Sequence, residues 1–204
     1  MTFYHEGHRT HQQLHDGTWL ADRLEEVRVH HQLWEDEVAQ IETAPFFFLA
    51  AATDDAVDCS FKGGEPGFVK VTGPATAEWP DYDGNSMYRS LGNISRNPKV
   101  GLLFVPIDGQ SPRLRINGRA AISHEPTRLS AYPGAKAIVA VECDFIYKNC
   151  NRHLPELTLS QPSPFNPKPG YAAPQPEWKS RDYARDVLPL SDDGLTVPEL
   201  KAPR

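Results

Sequence analysis

Long apolar runs are missing from this sequence. None approaches the roughly 20 residues that a helix needs to cross a bilayer. The longest, Phe46-Phe47-Phe48-Leu49-Ala50-Ala51-Ala52, has the length of a strand. The expectation is a chain with no membrane partner. The N-terminal residues include His, Glu and Arg where a secretory signal needs an apolar centre, so export by that route is not expected. Cysteine is scarce. The three present, Cys59, Cys143 and Cys150, are odd in number and match neither a disulfide framework nor a four-ligand zinc site. That usage fits a reducing compartment and predicts a cytoplasmic protein. Positive charge is also in deficit: the net charge of −6 argues against a nucleic-acid groove as the main business of the chain. There is no internal repeat, no Gly-x-Ser-x-Gly elbow and no order of Ser, His and Asp that suggests a nucleophilic triad, so catalytic residues stay unassigned.

What is present divides into three parts. At 204 residues the chain suits one domain with appended arms. Residues 1–45 are polar and helical in pattern, with Leu20, Leu24, Val27, Leu33, Val38 and Ile41 recurring at three- and four-residue intervals. Pro45 closes that extension. Residues 46–150 switch to short apolar runs separated by Asp, Gly and Pro, which predicts strands near 46–52, 57–61, 67–72, 76–79, 100–105, 113–122 and 136–144. One helix is expected between them, from Ser86 to Arg96, ending at Asn97-Pro98. Many short strands with brief helices predict a mainly β, antiparallel barrel. Residues 151–204 form a third part, with six prolines between 161 and 176, and read as an extended arm.

Polar chemistry collects at the edges of the β-runs. Lys62, Arg89 and Arg115 are candidate cations for an anionic ligand, and arginine's planar fork suits phosphate. Ser60 adds a hydroxyl beside Lys62, and Gly63-Gly64 lets backbone approach closely. A helix starting near Ser86 would aim unpaired N–H groups at an anion. Asn85 and Asn93 supply amides for a polyol or a ring edge. Cations and amides at strand edges are how a barrel holds a flat, phosphorylated ligand.

This order of segments resembles the pyridoxamine 5′-phosphate oxidase-like family of FMN-binding split barrels. The resemblance spans about residues 40–150 and is most specific from Pro80 to Phe104. Asn85 falls on a family asparagine, Arg89 on its arginine, and Asn97-Pro98 on its Asn-Pro. Ser90 stands where the family has a phosphate-binding lysine. Phe68-Val69-Lys70-Val71 matches the strand whose backbone passes the flavin ring, without its leading arginine. The resemblance implies cofactor contacts from Ser60, Lys62, Val69, Lys70, Asn85, Arg89, Asn93 and Arg115. It further implies a homodimer with the flavin at the subunit interface, and an FMN-dependent oxidoreductase acting on an unknown small molecule. The basic and histidine cluster that binds substrate phosphate in true pyridoxamine phosphate oxidases is not matched after Arg152-His153. A protein that stores or senses flavin or haem, with His153 or His124 as haem ligand, is a second reading, and a reductase using F420 a third. Tyr82, Tyr88 and His153 are candidate substrate-side groups.

Two other constellations compete. His5, His8, His11 and His15 lie along one helical face, but an exposed polar face explains them without a metal. Cys59 precedes Ser60 and Lys62, and a nearby cation lowers a thiol's pKa.

Overall fold

The computed structural model describes residues 2–107, 109 and 111–189. Three helices come first: α1 (Glu6–Leu14), α2 (Thr18–Arg28) and α3 (Glu35–Thr43). The histidine stripe begins with a cap. His5 Nδ1 accepts from the Gly7 amide, His8 Nδ1 accepts from the His5 amide, and the two rings stack with centroids 3.6 Å apart. Two of the orphan amides of α1 are satisfied this way. Among the described residues no group of three or more His, Cys, Asp or Glu gathers to hold a metal.

α3 is anchored from both faces. Ile41 enters the main core, and Glu37 is fully buried. The Glu37 carboxylate accepts from the Trp34 amide at 3.0 Å, and it lies 2.9 Å from His30 Nε2 and 3.4 Å from Lys148 Nζ. A buried carboxylate needs such partners.

Seven strands follow: β1 (Phe46–Ala52), β2 (Val57–Gly63), β3 (Lys70–Gly73), β4 (Thr76–Asp81), β5 (Lys99–Phe104), β6 (Arg113–Ser123) and β7 (Ala137–Asn149). α4 (Arg89–Arg96) joins β4 to β5, and the single turn α5 (Pro126–Leu129), not expected from the sequence, lies between β6 and β7. All pairings are antiparallel in one sheet of order β2-β1-β5-β6-β7-β4-β3. The β6–β7 register shifts between Asn117 and Gly118, where β7 carries the extra residue Asp144 and its backbone comes so close that a side chain at Gly118 would strike the Glu142 carbonyl.

The sheet rolls but does not close. β2 and β4 stand first and sixth in strand order, yet Lys62 Nζ on β2 lies 3.2 Å from Asp81 Oδ1 on β4. The rolled interior holds one continuous core. Phe47 is its hub, with its ring 5.1 Å from both Trp79 and Phe104 and 6.1 Å from Phe68. Leu49, Leu102, Leu114, Ile116, Val139 and Ile146 complete it, all essentially without solvent contact. The opposite faces of β1 and β2 carry a second aromatic group, Phe46, Phe48 and Phe61, which is partly open to solvent.

The expected boundaries shift at three places. β3 starts at Lys70 rather than 67, because Phe68 and Val69 drop into the core first. β7 runs on to Asn149, and its residues 145–149 pair with the first half of β6. The helix expected from Ser86 starts at Arg89. Ser86 (φ 58°) and Tyr88 (φ 49°) are left-handed and keep the preceding residues out of the helix.

Candidate active-site cleft

The alternation of β2 sends Asp58, Ser60 and Lys62 to one side. Facing them are the end of β4, the 82–88 turn and the first turn of α4. Between these walls lies a cleft of about 570 Å³, within the range of small-molecule sites. Residues 163–167 of the C-terminal arm form its remaining wall. Contacts that fasten the arm there include Asn166 Nδ2 to Glu65 at 2.9 Å, Lys168 Nζ to Glu65 at 3.3 Å, and the buried Lys179 Nζ to Asp83 at 2.7 Å.

Four of the sequence-derived site residues meet in this cleft: Ser60, Lys62, Asn85 and Arg89. Their side chains already have partners. Lys62 pairs with Asp81, and both are mostly shielded from solvent. Arg89 Nε lies 3.4 Å from Asp58 Oδ1, and its terminal nitrogen donates to the Val57 carbonyl at 3.3 Å. That guanidinium remains 57% exposed, the most open charge facing the cleft. Ser90 Oγ donates to Asp58 Oδ2 at 2.8 Å, and its one hydrogen is thereby used. Ser60 therefore supplies the hydrogen of the 2.8 Å bond to Ser90 Oγ. Asn85 Oδ1 accepts from the Met87 amide at 3.0 Å and shapes the turn into α4.

The other four lie elsewhere. Val69 is in the core with no exposure. Lys70 places its Nζ 4.2 Å from the Tyr132 ring centre on the opposite edge of the sheet. Asn93 points back from α4 and donates to the Ala51 carbonyl at 3.0 Å, tying helix to sheet. Arg115 sits on β6 with its guanidinium over Tyr147. His124 Nδ1 lies 3.2 Å from the Lys136 carbonyl, and neither it nor the exposed His153 lines the cleft.

Carboxylates were not among the expected site residues. Asp58, Asp81 and Asp83 line the same cleft as Lys62 and Arg89. Burial pushes the Asp83 carboxyl up, but hydrogen bonds from Lys136 and Lys179 outweigh it and hold the group below its ordinary value. The alternation of Asp58, Ser60 and Lys62 was the available signal for the first of the three. Tyr82 is half-buried. Desolvation, helped by the Glu65 charge, pushes its phenol up to about 12, so it stays protonated at neutral pH.

Left-handed backbone at a bulky residue such as Tyr88 costs of order 1–3 kcal/mol and concentrates at functional sites. Here it sits where the cleft meets α4. It also leaves the first-turn amides of an eight-residue helix beside Ser60, Ser90 and Arg89.

Sequence comparison gives this arrangement a family. The model of the pyridoxamine 5′-phosphate oxidase family matches residues 33–161. The chain belongs to that family. The rolled, unclosed sheet is its mainly β split barrel. Solved structures of similar fold include a Lactobacillus delbrueckii protein provisionally assigned as a pyridoxamine 5′-phosphate oxidase, at 16% identity, covering 59% of this chain and 99% of that one with a TM-score of 0.47. HupZ of Group A Streptococcus matches at 14% identity over 57% of this chain and 93% of its own, with a TM-score of 0.45. An F420 reductase matches at 18% identity over 57% and 100%, with a TM-score of 0.43. No curated protein matches the sequence. Among the described residues no helix is long and apolar enough to cross a membrane.

Proposed function

We propose that this member of the pyridoxamine 5′-phosphate oxidase family is an FMN-dependent oxidoreductase acting on a small molecule. The observation that carries the reading is the meeting of Ser60, Lys62, Asn85 and Arg89, from three separate segments, in one cleft. The donor set fits the phosphate end of FMN. Arg89 is the open cation, Ser60 and Ser90 bring hydroxyls, and the first turn of α4 brings backbone amides. Lys62 joins when it exchanges Asp81 for the ligand. In this reading Asn85 and the protonated Tyr82 donate to the ribityl chain or ring edge. Bound FMN supplies hydride acceptance and release at its ring.

The chain's own tasks are then positional. Asp58 accepts from the Ser90 hydroxyl and so fixes it, and holds Arg89 beside the cleft until the ligand takes its place. Phe165 and Pro167 of the arm limit water at the open side of the cleft. A homodimer belongs to the same reading, supported by Val57 and Phe61, 74% and 61% exposed on the edge strand β2. A cytoplasmic location belongs to this reading too, supported by three cysteines that pair in no disulfide.

The test is the visible absorption spectrum of the protein as purified, then after FMN addition and desalting. A retained two-band flavin spectrum that bleaches with NADH or NADPH and returns in air supports the proposal. A protein that refuses FMN overturns it. A retained flavin that no reductant bleaches removes the oxidoreductase and leaves a flavin-binding protein.

A further inference from the structure

A second cleft lies between the N-terminal helices and strands β6 and β7, and it shares no lining residue with the first. Its volume is about 450 Å³. Four rings face it, Phe3, Tyr4, Tyr147 and the His8 imidazole, with the amides of Asn117 and Asn149 and the guanidinium-bearing Arg28. Phe3 meets Tyr147 edge-on at 5.1 Å and Phe145 at 5.3 Å, so the rings form a fixed apolar corner.

Charge separates the two clefts. Three carboxylates line the first, whereas among the described residues none lines the second. Lys148 lines it too, but its ammonium is engaged by Asp36 and Glu37. Arg28, the last residue of α2, makes no ion pair among the described residues. In a chain of net charge −6, whose other cleft-facing cations are paired, that is a free positive charge beside an aromatic wall. Arg115, over the Tyr147 ring, adds positive potential behind it.

The helical roof is held at its two ends. Neither α1 nor α2 buries a residue, but Phe3, before α1, packs on Phe145 and Tyr147, and His30, two residues past α2, bridges to Ile146 of β7.

We propose that this cleft is a second binding site, for a planar aromatic anion of two or three rings. The rings stack in the Phe3, Tyr4 and Tyr147 corner, Arg28 meets the anionic group, and Asn117 and Asn149 hydrogen-bond the ring edge. The site is independent of the flavin cleft.

The experiment titrates the full chain with 1-anilinonaphthalene-8-sulfonate and with its neutral analogue N-phenyl-1-naphthylamine, following probe fluorescence. The expected result is saturable binding of one sulfonate probe per chain, unaffected by excess FMN. Arg28→Gln weakens the sulfonate at least fivefold and changes the neutral probe by less than twofold. Asn117→Asp, which adds a carboxylate to the floor, does the same. Four results overturn the proposal: no saturable binding, displacement by FMN, sulfonate affinity unchanged in both variants, or equal loss of both probes.

Discussion

Replacing Arg89 with Ala tests the flavin reading at its most exposed charge. Without ligand, the guanidinium rests on Asp58 across 3.4 Å and is more than half exposed. A pair of that kind contributes about 0–1 kcal/mol. A charge-assisted hydrogen bond to a phosphate contributes about 1.5–3 kcal/mol. Binding exchanges the first for the second, so the net loss in Arg89→Ala is about 1–2 kcal/mol, or roughly 5–30-fold in Kd. Asp58→Asn moves affinity the other way, because it frees Arg89 and removes a negative charge facing the phosphate. The amide introduced there keeps an oxygen for the Ser90 hydroxyl, so that hydrogen bond survives. Quenching of FMN fluorescence on titration measures both, and the gap between the variants narrows with added salt. Two outcomes refute the reasoning: an Arg89→Ala affinity within twofold of the parent, or an Asp58→Asn loss as large as that of Arg89→Ala.

Three further outcomes follow from the geometry. Gly118→Ala drives a methyl group against the Glu142 carbonyl and to 2.9 Å from Val141 Cγ2, so urea unfolding is expected to show a loss of about 1–3 kcal/mol. Asp83→Ala removes the ion pairs with Lys136 and Lys179, and proteolysis within residues 161–176 accelerates while the barrel resists. In the parent protein that fastening is also pH-dependent. Asp83 is held below its ordinary value of 3.8, so its contribution is full above that pH and is lost as pH falls through the lower folded-state value. Arm cleavage by an acid protease should thus rise below about pH 4, and a flat profile would count against the Asp83 tether. Thiol labelling separates the cysteines. Cys150, whose thiol is lowered by the Arg152 amide and the Arg152 and Arg113 charges, reacts at neutral pH. Cys143, pushed up to about 12 by burial and by neighbouring carboxylates, reacts only after unfolding.

The sequence determined the strand ladder and the family by itself. Turn residues and short apolar runs mark element boundaries locally, so β1 is found at Phe46–Ala52 as expected. Asn85, Arg89 and Asn97-Pro98 carry a spacing that survives without coordinates. What the run Phe46-Phe47-Phe48-Leu49 could not say is which ring turns inward, because both faces of β1 are apolar. The rolled sheet decided that, sending Phe47 to Trp79 and leaving Phe46 and Phe48 with Phe61. The same roll decided the cleft. Lys62 and Arg89 read as free cations in one dimension, and only the meeting of β2 with the end of β4 and with α4 gave them Asp81 and Asp58 as partners. Arg115 and Lys70 read as members of the same set, but their strands lie elsewhere in the sheet. Local propensity acts between neighbours in sequence, whereas charge pairing acts through space. Tertiary structure therefore settled which of these donors line one cleft and which carboxylates they pair with.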